Sequence, residues 1–435
     1  MCLEQAVRDK TNFINGGNNM TALKGACLIG QSGGPTSVIN SSALGCIEAA
    51  LKSEHITKVY GAAHGIKGVL DDRLYDLTKE DPYELSLLKY TPSSMLGSCR
   101  YKLTDFLTDD SDYRTILHIF QKYNIRYFFY NGGNDSMDTC SKISSYLSEN
   151  DYECRIIGIP KTIDNDLAGT DHCPGYGSAA KYVATTCMEV YRDARVYDTG
   201  SITVIEIMGR NAGWLTAASA LAKYMGSGPD LIYLPEVSFD LADFISDVTR
   251  IYEQKGDVLV AVSEGIKDKN GTYISSYFSD TSKTKDAFGH ARMGGLAENL
   301  SNFANTKIKA KVRGIELSLL QRCAAHLASK TDIEEAYLAG KAAFEAAIKG
   351  ATDKMVAFER KAGKEYGINT ILIDLADVAN VEKTVPIEWI NETGNGLLQP
   401  FIDYAMPLIQ GETELGYENG LPRFANLKRV LTREA

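Results

Sequence analysis

Five times along this 435-residue chain a short apolar run stops abruptly in a cluster of glycine, acid or arginine. Residues 26–30 lead to Gly33-Gly34, and 127–130 lead to Asn131-Gly132-Gly133-Asn134-Asp135-Ser136. Residues 156–159 lead to Pro160-Lys161-Thr162-Ile163-Asp164-Asn165-Asp166, 201–208 to Gly209-Arg210, and 257–262 to Ser263-Glu264-Gly265. Short apolar runs bounded by turn formers read as strands buried on both faces. They alternate with helix-like segments such as 39–51, 137–147, 214–225 and 332–349. That alternation predicts an α/β fold built on a mostly parallel sheet covered by helices. Ligands of such sheets bind beyond the carboxyl ends of the strands. Five polar strand ends on one sheet favour a phosphate-and-sugar site over five unrelated surface loops.

Each cluster also has a plainer local reading. Gly33-Gly34 precedes a small-residue helix, whose N-terminus and glycine amides suit a phosphate, although a Gly-Gly pair alone is more often only a turn. Asp135 or Ser136 suits the N-cap of the following helix. Arg100, after Leu96-Gly97-Ser98, reads by itself as a solvated surface residue. Gly175-Tyr176-Gly177-Ser178-Ala179-Ala180 has dinucleotide-fingerprint spacing, but no strand immediately precedes it, so it reads as a close-packed helix start. Residues 267–285 read as an exposed polar insertion leading through 288–295 into a helix. Residues 312–322 read as one strand-like stretch with Arg313 and Arg322 near its ends, and Thr331 reads as the N-cap of the helix over 332–349.

The net charge of −10, from 46 basic and 56 acidic residues, argues against a surface that coats nucleic acid. It leaves room for a local basic pocket. Nine cysteines without a C-x-x-C pair do not suggest a disulfide framework, which points to a reducing, cytoplasmic setting. No apolar run approaches the ~18 residues of a membrane span. Residues 1–21 lack an apolar signal core and read as an N-terminal extension.

Taken in order over residues 22–357, these motifs resemble the phosphofructokinase family, specifically its pyrophosphate-dependent branch. The segment Pro160–Asp166 carries the family's catalytic signature, and no G-x-x-x-x-G-K-[ST] loop is present. The resemblance implies two Rossmann-like three-layer α/β/α domains. The larger, 22–176 with part of 324–357, would hold the phosphate donor, and the smaller, 177–323, the sugar phosphate. Residues 358–435 would form a C-terminal extension.

By the same resemblance Asp164 would be the base for the 1-hydroxyl of fructose 6-phosphate, with Thr162 holding that hydroxyl and Asp166 supporting the base or a Mg²⁺. Gly33, Gly34, Arg100, Gly133, Asp135, Ser136 and Lys161 would bind pyrophosphate, and Arg100, Lys161 and Arg210 would neutralise the moving phosphoryl group. Met208, Gly209 and Glu264 would line the sugar, and Arg313 and Arg322 would clamp its 6-phosphate, one of them from a neighbouring subunit of a homodimer or homotetramer. Asn134 and Asp135 would contribute to the metal shell. Members using ATP carry glycine where this chain has Asp135 and Lys161, so both positions point to pyrophosphate. Three positions depart from the family pattern: Asn134 for an aspartate, Ser201 for an arginine and Leu319 for a His or Tyr. An ATP-dependent enzyme of the same fold and a catalytically silent sugar-phosphate-binding subunit are the rival expectations.

Overall fold

The apolar runs form strands in a computed structural model that describes residues 22–196, 198–278, 295–379 and 381–434. In chain order they are β1 (Gly25–Gln31), β2 (Ile56–Ala62), β3 (Leu74–Asp76), β4 (Ile125–Gly132), β5 (Arg155–Pro160) and β6 (Ser201–Ile207). Then come β7 (Leu231–Tyr233), β8 (Asp257–Ser263), β9 (Val312–Glu316), β10 (Lys354–Arg360), β11 (Ile368–Asp374), and a hairpin of β12 (Tyr417–Glu418) and β13 (Leu421–Pro422). They do not make one sheet. A seven-stranded sheet runs β11-β10-β5-β4-β1-β2-β3, and a separate four-stranded sheet runs β7-β8-β6-β9. The expectation of five strand ends on a single sheet is therefore corrected: β1, β4 and β5 end on the large sheet, and β6 and β8 on the small one.

Both sheets are three-layered because successive side chains in a strand point to opposite faces. On the large sheet Leu28, Phe128 and Ile156 pack toward Phe120 and Met137 of the helices Ser111–Lys122 and Asn134–Glu149. The alternate residues Ile29, Phe129 and Ile157 pack toward Ile47 and Phe344 of the helices Ile39–Leu51 and Lys330–Ile348. On the small sheet Ile205 and Ile207 face the helix Tyr176–Asp193, while Val204 and Val260 face Leu241–Lys255 and Leu296–Lys307.

Local signals were overridden at several places. The expected domain end at residue 357 falls inside β10, which pairs parallel with β5 and antiparallel with β11, so the next strand still belongs to the large sheet. The expected helix over 214–225 is two short helices, Trp214–Ala218 and Leu221–Tyr224. Between them the Ser219 hydroxyl donates to the Thr216 carbonyl at 2.7 Å and competes with the helical ladder. The strand-like stretch 312–322 stops at Glu316, and Ser318, at φ +43°, turns it into the 3₁₀ helix Ser318–Arg322. The long helix is capped by Ser329, not Thr331: it begins at Lys330, and the Ser329 hydroxyl accepts from the Asp332 amide. Residues 279–294, including most of the stretch expected to lead into the helix Leu296–Lys307, and residues 1–21 lie outside the described residues.

The C-terminal segment is not an appendage to one domain. Phe401, Ala405 and Leu408 pack beneath the small sheet, whereas Ala425 and Leu427 join the core of the large one. Among the described residues no helix is long and apolar enough to cross a membrane.

Behind the end of β5 lies a buried polar cluster. The His172 ring meets Asp171 at 2.9 Å through Nδ1 and Glu335 at 2.7 Å through Nε2, and Tyr366 donates to Glu335 at 2.7 Å. Burial pulls the imidazole pKa down, but the two acids outweigh it and raise it above the ordinary value. A raised histidine pKa stabilises the fold in full below about pH 6.5, and that contribution is lost as pH rises through the folded value. His172→Gln should therefore cost on the order of 3 kcal/mol near pH 6, typical of a broken buried pair. Thermal melts should show this gap narrowing toward alkaline pH.

Candidate active site

The two sheets present their polar ends to a common cleft of about 840 Å³. On the large-domain side β1 runs into Ser32 and Gly33, which reaches the left-handed φ of +75° that favours glycine. The Gly33 amide donates to the Cys99 carbonyl at 3.1 Å and Ser98 donates to the Gly33 carbonyl at 2.7 Å, so the glycine loop and the Arg100 loop are one unit. β4 delivers Gly133, Asn134, Asp135 and Ser136 to the cleft. Here the helix starts at Asn134 with Gly133 in the N-cap position and no side-chain cap. The expected cap by Asp135 or Ser136 is absent, which leaves the helix N-terminus to an anion in the cleft.

β5 ends at Pro160, and Lys161, Thr162, Asp164 and Asp166 line the floor. The Lys161 ammonium is almost fully enclosed and donates to the Gly34 carbonyl at 2.7 Å. The Thr162 hydroxyl accepts from the Asp164 amide at 3.0 Å, which fixes the first step of the turn. From the small-domain side Met208, Arg210 and Glu264 enter the same cleft, and the 3₁₀ helix brings Arg322 in. Gly265 is required by close approach, since a Cβ there would lie 1.9 Å from the Arg210 carbonyl oxygen. Gly209, expected to line the sugar, does not line the cleft itself; its amide donates to the lining residue Glu264 at 3.4 Å.

Charge is concentrated at the floor. Burial lowers the Lys161 pKa to about 8, although Asp164 and Asp166 push it up, while Arg322 and Arg100 add to the lowering. Burial raises Asp164 above the ordinary carboxylate value, and Lys161, Arg210 and Arg322 oppose it. Asp166 is pushed up to about 7, first by burial and then by Asp164, with Glu382 adding to it. A raised carboxylate is a stronger base, and two acids that disfavour each other's charge suit a nearby cation. Burial likewise raises Glu264 and lowers Arg322. Anionic oxygens would thus meet four cationic side chains, Arg100, Lys161, Arg210 and Arg322, in one partly desolvated space.

Of the expected site residues, Arg313 and Gly209 are missing from the cleft lining. Arg313 does not line the cleft: it lies on β9, partly exposed, 3.5 Å from Asp193. Asn134 does line the cleft as expected, and its side-chain amide nitrogen, which is not the atom a cation would take, donates to the Val381 carbonyl at 2.9 Å. Among the described residues no group of three His, Cys, Asp or Glu side chains could hold a metal by itself.

Other lining residues carried no expectation, among them Tyr101, Asn211 and Glu382. Tyr101 and Asn211 adjoin Arg100 and Arg210 and could have been found by extending those motifs by one position. Glu382 comes from the C-terminal segment, where it accepts from Asn211 at 2.9 Å, and no spacing marks it.

Residues 26–315 match the phosphofructokinase (PFK) family. The chain is 42% identical over 403 residues to a pyrophosphate–fructose 6-phosphate 1-phosphotransferase of Halomonas elongata, covering 92% of this chain and 95% of that one. It is also 42% identical to a protein of the same name from Xanthomonas campestris pv. campestris, covering 93% and 97%. The fold superposes on a crystal structure of a pyrophosphate-dependent phosphofructokinase from Nitrosospira multiformis with a TM-score of 0.85, 38% identity, and 94% and 98% coverage.

Proposed function

Since the chain belongs to the phosphofructokinase family, we propose that its cleft transfers a phosphoryl group from pyrophosphate to the 1-hydroxyl of fructose 6-phosphate, reversibly. The products are fructose 1,6-bisphosphate and phosphate. The observation that carries the choice of donor is Lys161, buried beside the Gly34 carbonyl and the Asp164–Asp166 pair, with Asp135 in the first turn of the helix that follows the neighbouring strand β4. A point charge there favours a compact anion, and the Asp135 carboxylate repels a longer polyphosphate chain.

Phosphoryl transfer depends mainly on position and charge. Asp164 takes the hydroxyl proton as the sugar oxygen forms its bond to phosphorus, and the bridging P–O bond of pyrophosphate breaks to release phosphate. Thr162 orients the hydroxyl. Arg100, Lys161 and Arg210 offset charge on the transferring group. Mg²⁺, when bound, neutralises donor oxygens; Asp166 and Asp135 would hold it together with those oxygens, in keeping with a cation that uses few protein ligands. The mutual destabilisation of Asp164 and Asp166 supports that placement.

We place the 6-phosphate at Arg322. The position of Arg313 outside its own cleft, on a partly exposed stretch of β9, supports a homodimer or homotetramer in which Arg313 reaches a neighbouring site. A cytoplasmic enzyme acting on these two small molecules, with no nucleic-acid or membrane partner, is the setting this reading requires. Arg322→Ala should raise the fructose 6-phosphate KM by about tenfold or more while kcat changes less, because the lost bond is to a group that does not react. Steady-state titration of fructose 6-phosphate measures both. The reaction itself is tested by one assay on purified protein, comparing pyrophosphate with ATP on fructose 6-phosphate. Turnover with pyrophosphate at a clearly higher kcat/KM is expected, and a preference for ATP overturns the donor.

A further inference from the structure

The acidic floor of the cleft is held from behind by a part of the chain far from it in sequence. Asn165, between the two acids, is fully buried and adopts a left-handed φ of +55°. An asparagine tolerates that conformation when its side chain is satisfied locally. Its carbonyl oxygen accepts from the Cys173 amide at 2.9 Å, and its amide nitrogen donates to the Tyr404 hydroxyl at 2.7 Å. Tyr404 in turn donates to the Asp171 carbonyl at 2.8 Å. The hydroxyl thus accepts at one end and donates at the other, and it ties both limbs of the loop 164–173 together.

Tyr404 is itself immobilised. Its ring lies 5.2 Å from Trp214 and 5.4 Å from Trp389, and the Arg360 guanidinium stands 4.9 Å from the ring centre. Arg360 also donates to the Tyr404 carbonyl at 3.0 Å and to Asp171 at 2.9 Å. A second tie runs nearby, where the Lys383 amide donates to the Asp166 carbonyl at 2.7 Å.

We propose that Tyr404 is a positioning residue for phosphoryl transfer: through Asn165 its hydroxyl sets the backbone turn that aims Asp164 and Asp166 into the cleft. This rests on the reading of the cleft as the phosphoryl-transfer site. Tyr404 touches neither substrate space nor the acids, so it acts on the alignment of the base and not on binding. Loss of alignment lowers the rate of the chemical step while ground-state contacts survive.

The test uses the full chain with pyrophosphate and fructose 6-phosphate, assaying wild type, Tyr404→Phe, Asn165→Gly and the double variant. Tyr404→Phe keeps the ring and removes only the hydroxyl. Asn165→Gly keeps the permitted left-handed backbone and removes the side chain through which Tyr404 acts. Each single variant should lose roughly tenfold to hundredfold in kcat. Both KM values should stay within about twofold, and the double variant should be no worse than the poorer single, as expected for residues in one chain of contacts. A kcat of Tyr404→Phe within about twofold of wild type, or losses that multiply in the double, overturns the role. Should Tyr404→Phe fail to fold, Asn165→Gly decides alone by the same split: unchanged kcat, or a rise in KM of the same size, overturns it. Absence of wild-type turnover overturns the reaction and this role together, whereas an active wild type with indifferent variants overturns the role only.

Discussion

Asp164→Asn is expected to give a folded protein whose kcat is lower by about 10² to 10⁴, the usual cost of losing a general base. The side chain lies at the end of β5, where burial raises its pKa and Lys161, Arg210 and Arg322 hold the charged form in reach. The amide keeps the shape and the backbone bond from Asp164 to the Thr162 hydroxyl, so the stability change should be small. Circular dichroism and a thermal melt establish the fold, and single-turnover kinetics establish the rate. Near-normal kcat in the folded variant removes Asp164 from the role of base. The loss should be shared by both directions of the reaction, since the same group that takes the proton must return it.

The second large effect concerns donor choice. Lys161→Gly should lower kcat/KM for pyrophosphate by about 10² to 10³, the loss seen when one pre-placed donor to a developing charge is removed. Asp135→Gly should raise kcat/KM for ATP by removing repulsion and bulk. Because both side chains line one cleft, their effects should couple, so both singles and the double are measured with both donors. The lysine also predicts a pH effect of definite sign. With its pKa lowered to about 8, the ammonium form is lost as pH rises past that value, so kcat/KM for pyrophosphate should fall on the alkaline side. Lys161→Gly should abolish that limb. A pyrophosphate profile that stays flat through pH 9 would show that the lysine charge does not govern capture of the donor.

Much of this site could be read before the fold was known, because strands buried on both faces are near-continuous apolar runs and their ends are conspicuous. Gly33, Asp135, Lys161, Arg210 and Glu264 were each marked by such an end. Which sheet each strand joins was not legible in the strand pattern and came only from the family resemblance, since it depends on pairings between distant segments, such as β6 between β8 and β9. The stop of β9 at Glu316 was hidden because apolar residues continue beyond it. Only the positive φ at Ser318 turns the chain so that Arg322 reaches the cleft and Arg313 does not. The C-terminal segment was the least legible part. Glu382, Lys383 and Tyr404 act through hydrogen bonds to residues far from them in sequence, and no periodicity connects them.

The attachment of that segment to both sheets bears on the order in which the molecule becomes itself. The phosphate-facing loops and the acids are made early in synthesis, but Asn165 and Tyr404 are separated by 239 residues. Contacts of such long span form late, after the loop-closure entropy has been met by shorter-range structure. A growing chain can thus assemble the large sheet's inner strands, with lysine and carboxylates already at their ends, well before Tyr404 has emerged. In that interval Asn165 lacks the partner that satisfies its amide, and the acidic turn samples other angles. Competence for the reaction then arrives as a final step, distinct in time from the burial of the core.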